Sequence, residues 1–328
     1  MTVVEAKSIH RPVLLAEAIE ALRVMPGGSY IDCTLGGAGH ARAILERCLP
    51  GGRLLGIEID PESLEKAAQV LSPYGEAVTL ACNNFRYLGR ICDEHGVYSV
   101  NGVLFDLGLS SMHLSPQGRG FSFRHDAPLD MRLDPSQELT AAGVINNLPE
   151  ADLAKILYTY GEEPRSRQIA RAIVRARPIG GAVELAALVA SAYGGYRGRT
   201  HPATRTFQAI RMVVNKELES LEEGLRQAVL RLVPGGRLAV ISFESLEDRI
   251  VKRVLGEESR GCLCLPQVPV CVCGHSPRLR LVTRSPIRPS PDEVVVNPRS
   301  RSAKMRVAEA LEPDAAVLET GGEGKRRT

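Results

Sequence analysis

Residues 13–24, VLLAEAIEALRV, place apolar side chains at helical spacing, and Pro26-Gly27-Gly28 stops the pattern. The period then changes. Short apolar runs follow in SYIDCTLG, GRLLGIEID, AVTLACNNF and SVNGVLFDLG, most of them closing on an acid or a glycine and each followed by a helical pattern. Strands alternating with helices predict βαβ units and a mostly parallel sheet. The segment PGGRL occurs at residues 50–54 and again at 234–238, each time opening an apolar run. Glycines after proline make the tight turn that returns a chain from a helix to the next strand, so these read as two strand entries of one sheet.

Residues 112–205 have no comparable strand run and carry helical patterns such as EADLAKILYTYG and SRQIARAIVRA. The expectation is an α/β domain built from residues 1–111 and 206–311, interrupted by a helical domain over 112–205. From residue 312 the chain reads EPDAAVLETGGEGKRRT, rich in glycine and charge, and is expected to be a disordered tail.

Composition narrows the class. The chain has 328 residues, 44% of them apolar, which suffices for a full core. No run approaches the roughly 18 to 20 uncharged apolar residues of a membrane span. Glu5, Lys7, His10 and Arg11 break up the N-terminal segment, so no secretory signal is read and a cytoplasmic protein is expected. A net charge of +3 does not by itself announce a nucleic-acid binder. Of the 41 basic residues, however, seven are Lys and 34 are Arg, with clusters late in the chain. Guanidinium pairs bidentately with phosphate and stacks on bases, so this density is compatible with RNA contact as well as with a genome that favours Arg codons. Cys33, Cys48, Cys82 and Cys92 lie in apolar surroundings and are expected to be reduced core residues. The other four cysteines are packed into GCLCLPQVPVCVCGH.

The candidate chemistry begins at residues 30–41, YIDCTLGGAGHA. In a doubly wound sheet the ligand lies at the carboxyl ends of the strands, where a glycine turn lets the backbone approach it. Gly36, Gly37 and Gly39 supply that turn, and Glu58, one βα unit later, is placed to accept hydrogen bonds from ribose hydroxyls. The dinucleotide fingerprint G-x-G-x-x-G is absent, and Asp32 ahead of the turn would repel a pyrophosphate. S-adenosylmethionine has no phosphate and carries an amino group and a sulfonium, so Asp32 tilts the choice to a methyl donor over a nicotinamide cofactor. Phe85, read as closing the third strand, is a candidate for the adenine ring, and Asp106 in LFDLGLSS falls at the carboxyl edge, where a substrate-handling acid belongs.

At this point the residues resemble a known family. HRPVLLAEAIEAL, YIDCTLGGAGHA, GIEIDP, LFDLGLSS, RGFSFRHDAPLDMRLDP, HPATRTFQAIRMVVNKEL, PGGRLAVISFESLEDRIVK and NPRSRSAKMRVAE are similar to the ribosomal RNA small-subunit methyltransferase H family. The resemblance runs from about residue 10 to residue 309. It implies a class I, Rossmann-like, seven-strand methyltransferase sheet with an inserted helical domain. It also implies methylation of the exocyclic N4 of a cytosine in the decoding region of small-subunit ribosomal RNA, with S-adenosylmethionine as cofactor. Carried over residue by residue, it implies cofactor contacts from Ala38, Gly39, His40, Glu58, Phe85, Asp106 and His113. Ala38 stands where the family often has glycine, Glu58 where it often has Asp, and His113 where Gln is frequent. In SFESLEDR, Glu244 replaces a usual histidine and is not assigned to catalysis.

The amine of cytosine is a poor nucleophile because its lone pair is delocalised into the ring. Asp106 is the candidate acceptor for a hydrogen bond from that amine, or the residue that holds the methionine moiety nearby. A base in structured RNA must leave its stack, so a surface that grips flanking backbone is expected. Arg165, Arg167, Arg171 and Arg175, then Arg197, Arg199 and Arg205, supply it, and the residues at 167, 171 and 175 share a helical face. The expected partner is small-subunit ribosomal RNA or the ribosomal subunit, with no membrane. Cys262, Cys264, Cys271, Cys273 and His275 could form a zinc site, although one residue between each cysteine pair is unusual spacing and no metal is required by the assigned reaction. A competing reading is a non-catalytic RNA-binding or ribosome-assembly factor on a methyltransferase fold, which calls for a damaged turn or missing acids.

Overall fold

A computed structural model describes residues 12–109, 118–194, 201–264, 270 and 272–312. It divides into two compact units, the first from residues 1–58, 64–108 and 221–328 and the second from 59–63 and 109–220. In chain order the first half alternates α1 (Leu15–Ala21), β1 (Ser29–Asp32), α2 (Gly39–Cys48), β2 (Arg53–Glu58), α3 (Pro61–Leu71), β3 (Val78–Cys82), α4 (Leu88–Glu94) and β4 (Val100–Asp106). Helices α5 (Ala141–Asn147), α6 (Glu150–Gly161), α7 (Ser166–Ala176), α8 (Ala182–Ala192) and α9 (Ala203–Val214) follow. The chain closes with α10 (Glu217–Arg231), β5 (Leu232–Ser242), α11 (Ser245–Glu258), β6 (Leu279–Leu281), α12 (Pro291–Val296) and β7 (Lys304–Ala310).

The first unit is built on a seven-strand α/β sheet in the order β3-β2-β1-β4-β5-β7-β6, the strand number expected from the sequence. Strands β1 to β5 run parallel, and β7 is antiparallel to both β5 and β6. The apolar runs are continuous because both faces of the sheet are buried. Ile31, Ile57, Val103, Phe105 and Val240 enter one core cluster. Their neighbours Tyr30, Leu54, Leu104 and Ile241 enter the other. Registers Asp32↔Gly56, Glu58↔Cys82, Asp32↔Leu104 and Asp106↔Ile241 bring the carboxyl ends of β1 to β5 to one edge.

Three expectations change in detail. Strand β3 stops at Cys82, and Phe85 instead opens a short 3-10 turn, Phe85–Tyr87, capped by the Asn84 side chain, which accepts from Arg86 N. The second PGGRL segment does not precede its strand but lies within it: Leu232 pairs with Val100, and pairing resumes at Arg237 with Gly102, so residues 233–236 form a bulge. Cys33, Cys48 and Cys92 are buried as expected, but Cys82 is exposed at the end of β3.

The second unit is helical, and its core draws on Leu153 and Leu157 of α6, Ile169 and Ile173 of α7, Val189 of α8 and Ile210 of α9. Its described residues contain no strand; the one sheet-like contact is the isolated bridge Pro128↔Gly181. No helix among the described residues is long and apolar enough to cross a membrane.

Candidate active site at the carboxyl edge of the sheet

The turn after β1 is shaped by its glycines and held by acids. Gly36 takes a positive φ of 49°, and Ala38 does the same at 59°, the left-handed conformation that explains why glycine is frequent there in the resembling family. A Cβ at Gly39 would lie 2.2 Å from Pro12 Cγ, so only glycine fits where α2 begins. Leu35 N donates to Ile57 O at 3.1 Å, and Gly36 N donates to Glu58 Oε2 at 2.8 Å. Glu58 therefore reaches from the end of β2 into the turn, 7% exposed.

Asp32, at the end of β1, is 1% exposed, and its Oδ1 accepts from Thr34 N at 3.1 Å. Burial raises its pKa from 3.8 to about 7, the Thr34 hydrogen bonds pulling it down and the charge of Glu58 pushing it up. Thr34 also joins β1 to β4, because its hydroxyl oxygen accepts from Asp106 N at 2.6 Å.

Asp106 ends β4 and is the centre of the site. Its Oδ2 stands 3.5 Å from His40 Nδ1, and its Oδ1 is enclosed with no hydrogen-bond partner among the described residues. Burial drives its pKa well above 3.8, and the nearby carboxylates of Asp32 and Glu247 act in the same direction. His40, in the first turn of α2, is 3.1 Å from Val13 O through Nε2. A carbonyl can only accept, so Nε2 carries the hydrogen and Nδ1 is the atom turned to Asp106. His40 Nδ1 and Asp106 Oδ2 thus face one another across 3.5 Å.

Phe85 packs edge-on to Phe105 with ring centroids 5.4 Å apart. Gly224 of α10 packs close by, where a Cβ would meet Phe85 Cδ2 at 2.8 Å and Phe105 Cε1 at 3.4 Å. The ring is half-buried at the same edge as Glu58, since Asn83 N donates to Glu58 O at 2.9 Å two residues earlier. Ala38, Gly39, His40, Glu58, Phe85 and Asp106 are therefore brought to one edge, while His113 lies outside the described residues.

Sequence reading missed Thr34 and Glu247. Glu247 is 3% exposed, and its Oε2 accepts from Phe243 N and Glu244 N at 2.9 and 3.0 Å. It pairs with Glu244 in a capping box at the start of α11, which gives Glu244 a structural place and supports leaving it out of catalysis. The spacing E-x-x-E ahead of an apolar helical pattern was the available signal. Asp60, also missed, binds Arg119 Nη2 at 2.6 Å and Ser63 Oγ at 3.0 Å within the second unit.

The donor set fits S-adenosylmethionine. An enclosed carboxylate oxygen without a partner, among further buried acids, calls for positive charge or a hydrogen-bond donor, and a pyrophosphate would meet repulsion there. In the second unit, Arg165, Arg167, Arg171 and Arg175 are exposed on α7, whose opposite face buries Ile169, Ala170 and Ile173. Arg171 pairs with Glu150 at 3.5 Å, and Arg165 stacks on the Tyr193 ring at 4.5 Å. Arg205 is exposed on α9 and donates to Glu162 O, whereas Arg197 and Arg199 lie outside the described residues.

The chain is similar to known proteins over most of its length. A protein named ribosomal RNA small subunit methyltransferase H from Dehalococcoides mccartyi is 54% identical over 302 residues, 92% of this chain and 86% of its own. The protein of that name from Thermomicrobium roseum is 51% identical over 93% of this chain and 94% of its own. Among solved structures, a putative rRNA-methylase from Clostridium thermocellum aligns over 92% of this chain and 100% of its own at 12% identity, with a TM-score of 0.44. The model of the MraW methylase family matches residues 7–311, and the chain belongs to that family.

Proposed function

We propose that this protein methylates the N4 amine of a cytosine in the decoding region of small-subunit ribosomal RNA. The observation that carries the reading is Asp106 Oδ1, enclosed and unpartnered at the edge where the glycine turn, Glu58 and Phe85 meet. The names of the relatives and the acid-lined turn both support it. Bound S-adenosylmethionine would supply an electrophilic methyl group on a sulfonium.

The chain's own residues divide the remaining work. The Ala38-Gly39 backbone admits close approach, Glu58 is the acceptor for ribose hydroxyls and Phe85 offers an apolar ring for adenine. Asp106 Oδ1 accepts a hydrogen bond from nitrogen, either the cytosine amine or the cofactor's ammonium. Accepting from the amine favours localisation of its lone pair, and the pair formed by Asp106 Oδ2 and His40 Nδ1 is where the departing proton can rest. Arg167, Arg171, Arg175 and Arg205 are assigned to phosphates of the RNA.

The test is methyl transfer from labelled S-adenosylmethionine to small ribosomal subunits that lack the modification, followed by nucleoside analysis, with Asp106→Asn alongside. Label in N4-methylcytidine that falls at least a hundredfold in the variant supports the reading. If the variant still binds cofactor normally, Asp106 acts on the amine; if binding is lost, it acts on the cofactor. Label in another nucleoside, or none despite tight cofactor binding, overturns it.

A further inference from the structure

The cysteines between α11 and β6 are far from the reaction in sequence, and the assigned activity makes no use of them. Cys262, Cys264 and Cys273 nevertheless turn their sulfurs to one point, all three Sγ atoms lying within 4.8 Å of one another. Cys262 Sγ and Cys273 Sγ are 3.8 Å apart. Two thiolates bound to one tetrahedral zinc at about 2.3 Å each stand about 3.8 Å from one another, so the spacing is that of co-ligands.

The backbone around them is arranged for negative sulfur. Leu263 N donates to Cys273 Sγ at 3.4 Å, Cys264 N to Cys262 Sγ at 3.3 Å, and Val272 N to Cys264 Sγ at 3.4 Å. Each sulfur thus accepts an amide hydrogen, which stabilises a thiolate more than a thiol. The segment is also anchored from outside: His275 Nε2 donates to Glu257 O at 3.1 Å, and Arg278 N donates to Glu258 O at 2.8 Å. Both acceptors sit in the last turn of α11, so the thiol loop is clipped back onto the helix it follows.

We propose that Cys262, Cys264 and Cys273 bind a zinc ion that fixes the link from α11 to β6. Soft thiolates select zinc over the hard oxygen-seeking cations, and among the described residues three of them supply three corners of the tetrahedron. Cys271 lies outside the described residues. Binding converts three thiols to thiolates, so zinc uptake releases protons and weakens as pH falls.

The test uses the full chain, purified without a metal-affinity step in reducing buffer, dialysed against zinc and then against metal-free buffer. About one zinc per chain is expected, and cobalt added to the metal-free chain should give the intense thiolate-to-metal absorption of a tetrahedral sulfur site. Cys262→Ser combined with Cys273→Ser should weaken zinc binding at least a hundredfold in competition with a chromogenic chelator, while Cys82→Ser should not change it. Fewer than about one zinc in ten chains, with no thiolate-to-cobalt band in the unmodified chain, would overturn the proposal. So would zinc held undiminished by the double variant. The cobalt spectrum of the unmodified chain keeps the test decisive even if the double variant fails to fold.

Discussion

Replacing Asp32 by Asn should make the protein more stable at neutral pH. Burial raises the Asp32 pKa from 3.8 to about 7. Ionising it in the folded state therefore costs about 4 kcal/mol more than in the unfolded chain, at 1.36 kcal/mol per tenfold change in proton affinity. The sign follows from the direction of the change. The folded protein holds a proton that the unfolded chain has released between about pH 4 and pH 7, so stability falls as pH rises through that window and the whole penalty is present above it. The substituted amide keeps an oxygen for Thr34 N and carries no charge. Urea unfolding of both proteins should give near-equal stabilities at about pH 4 and a gap growing to about 2 to 4 kcal/mol in favour of the variant at about pH 8. A stability difference that stays constant across this range, within about 0.5 kcal/mol, would refute the idea that Asp32 is held against its charge.

Thr34→Val keeps the side-chain shape but leaves Asp106 N without its acceptor, and chemical denaturation should show a loss of about 1 to 3 kcal/mol. Glu309→Gln strips the charge from a buried pair in which Arg237 Nη2 lies 2.6 Å from Glu309 Oε2, with about 3 kcal/mol of destabilisation expected. Since hydrogen bonding and charge from Arg280 and Arg237 lower the Glu309 pKa, the stability it contributes is present at neutral pH and is lost as pH falls below the ordinary carboxylate range; the variant should lack that slope. Changing Arg167, Arg171 and Arg175 together to Ala should leave unfolding within about 0.5 kcal/mol of the unmodified protein while weakening RNA binding, each lost phosphate contact reducing the salt dependence by about 0.7 to 0.9 in the log–log slope. An unchanged slope would remove α7 from the RNA interface.

Much of the sheet was legible in the chain because β1, β2 and β4 are largely buried on both faces and so read as unbroken apolar runs, while β3, at the sheet edge, is only partly buried. Strand β7 did not stand out, since KMRVAEA interleaves charges with its apolar residues. Those charges belong to tertiary pairs: Arg306 binds Asp248 of α11 at 2.6 Å, and Glu309 binds Arg237 of β5. Strand β6 has three residues, too few for a period to register. At the site, the residue types at the turn and strand ends identified the edge, but not how each acid is used there. The sequence pattern marked Asp32 by its charge and position, and the structure adds that it is buried against Thr34 N, since only the three-dimensional path of the turn decides which acid is covered. Glu247 was hidden for a related reason: it reads as one of many acids on an amphipathic helix until the cap it closes is seen beside Asp106.

The late arrival of β7 bears on how such a chain can be made. Strand β5 pairs with β4 across more than a hundred intervening residues, and its other edge is covered only by β7, at the far end of the described chain. During synthesis β5 therefore emerges with an unpaired, strongly apolar edge that stays open until residues 304–310 follow it. Such an edge is a template for pairing with other chains. Ribosomes that stall or terminate between α11 and β7 would release aggregation-prone fragments, and the second unit, whose helices α5 to α9 all precede β5, would have time to fold while the sheet waits for its last strand.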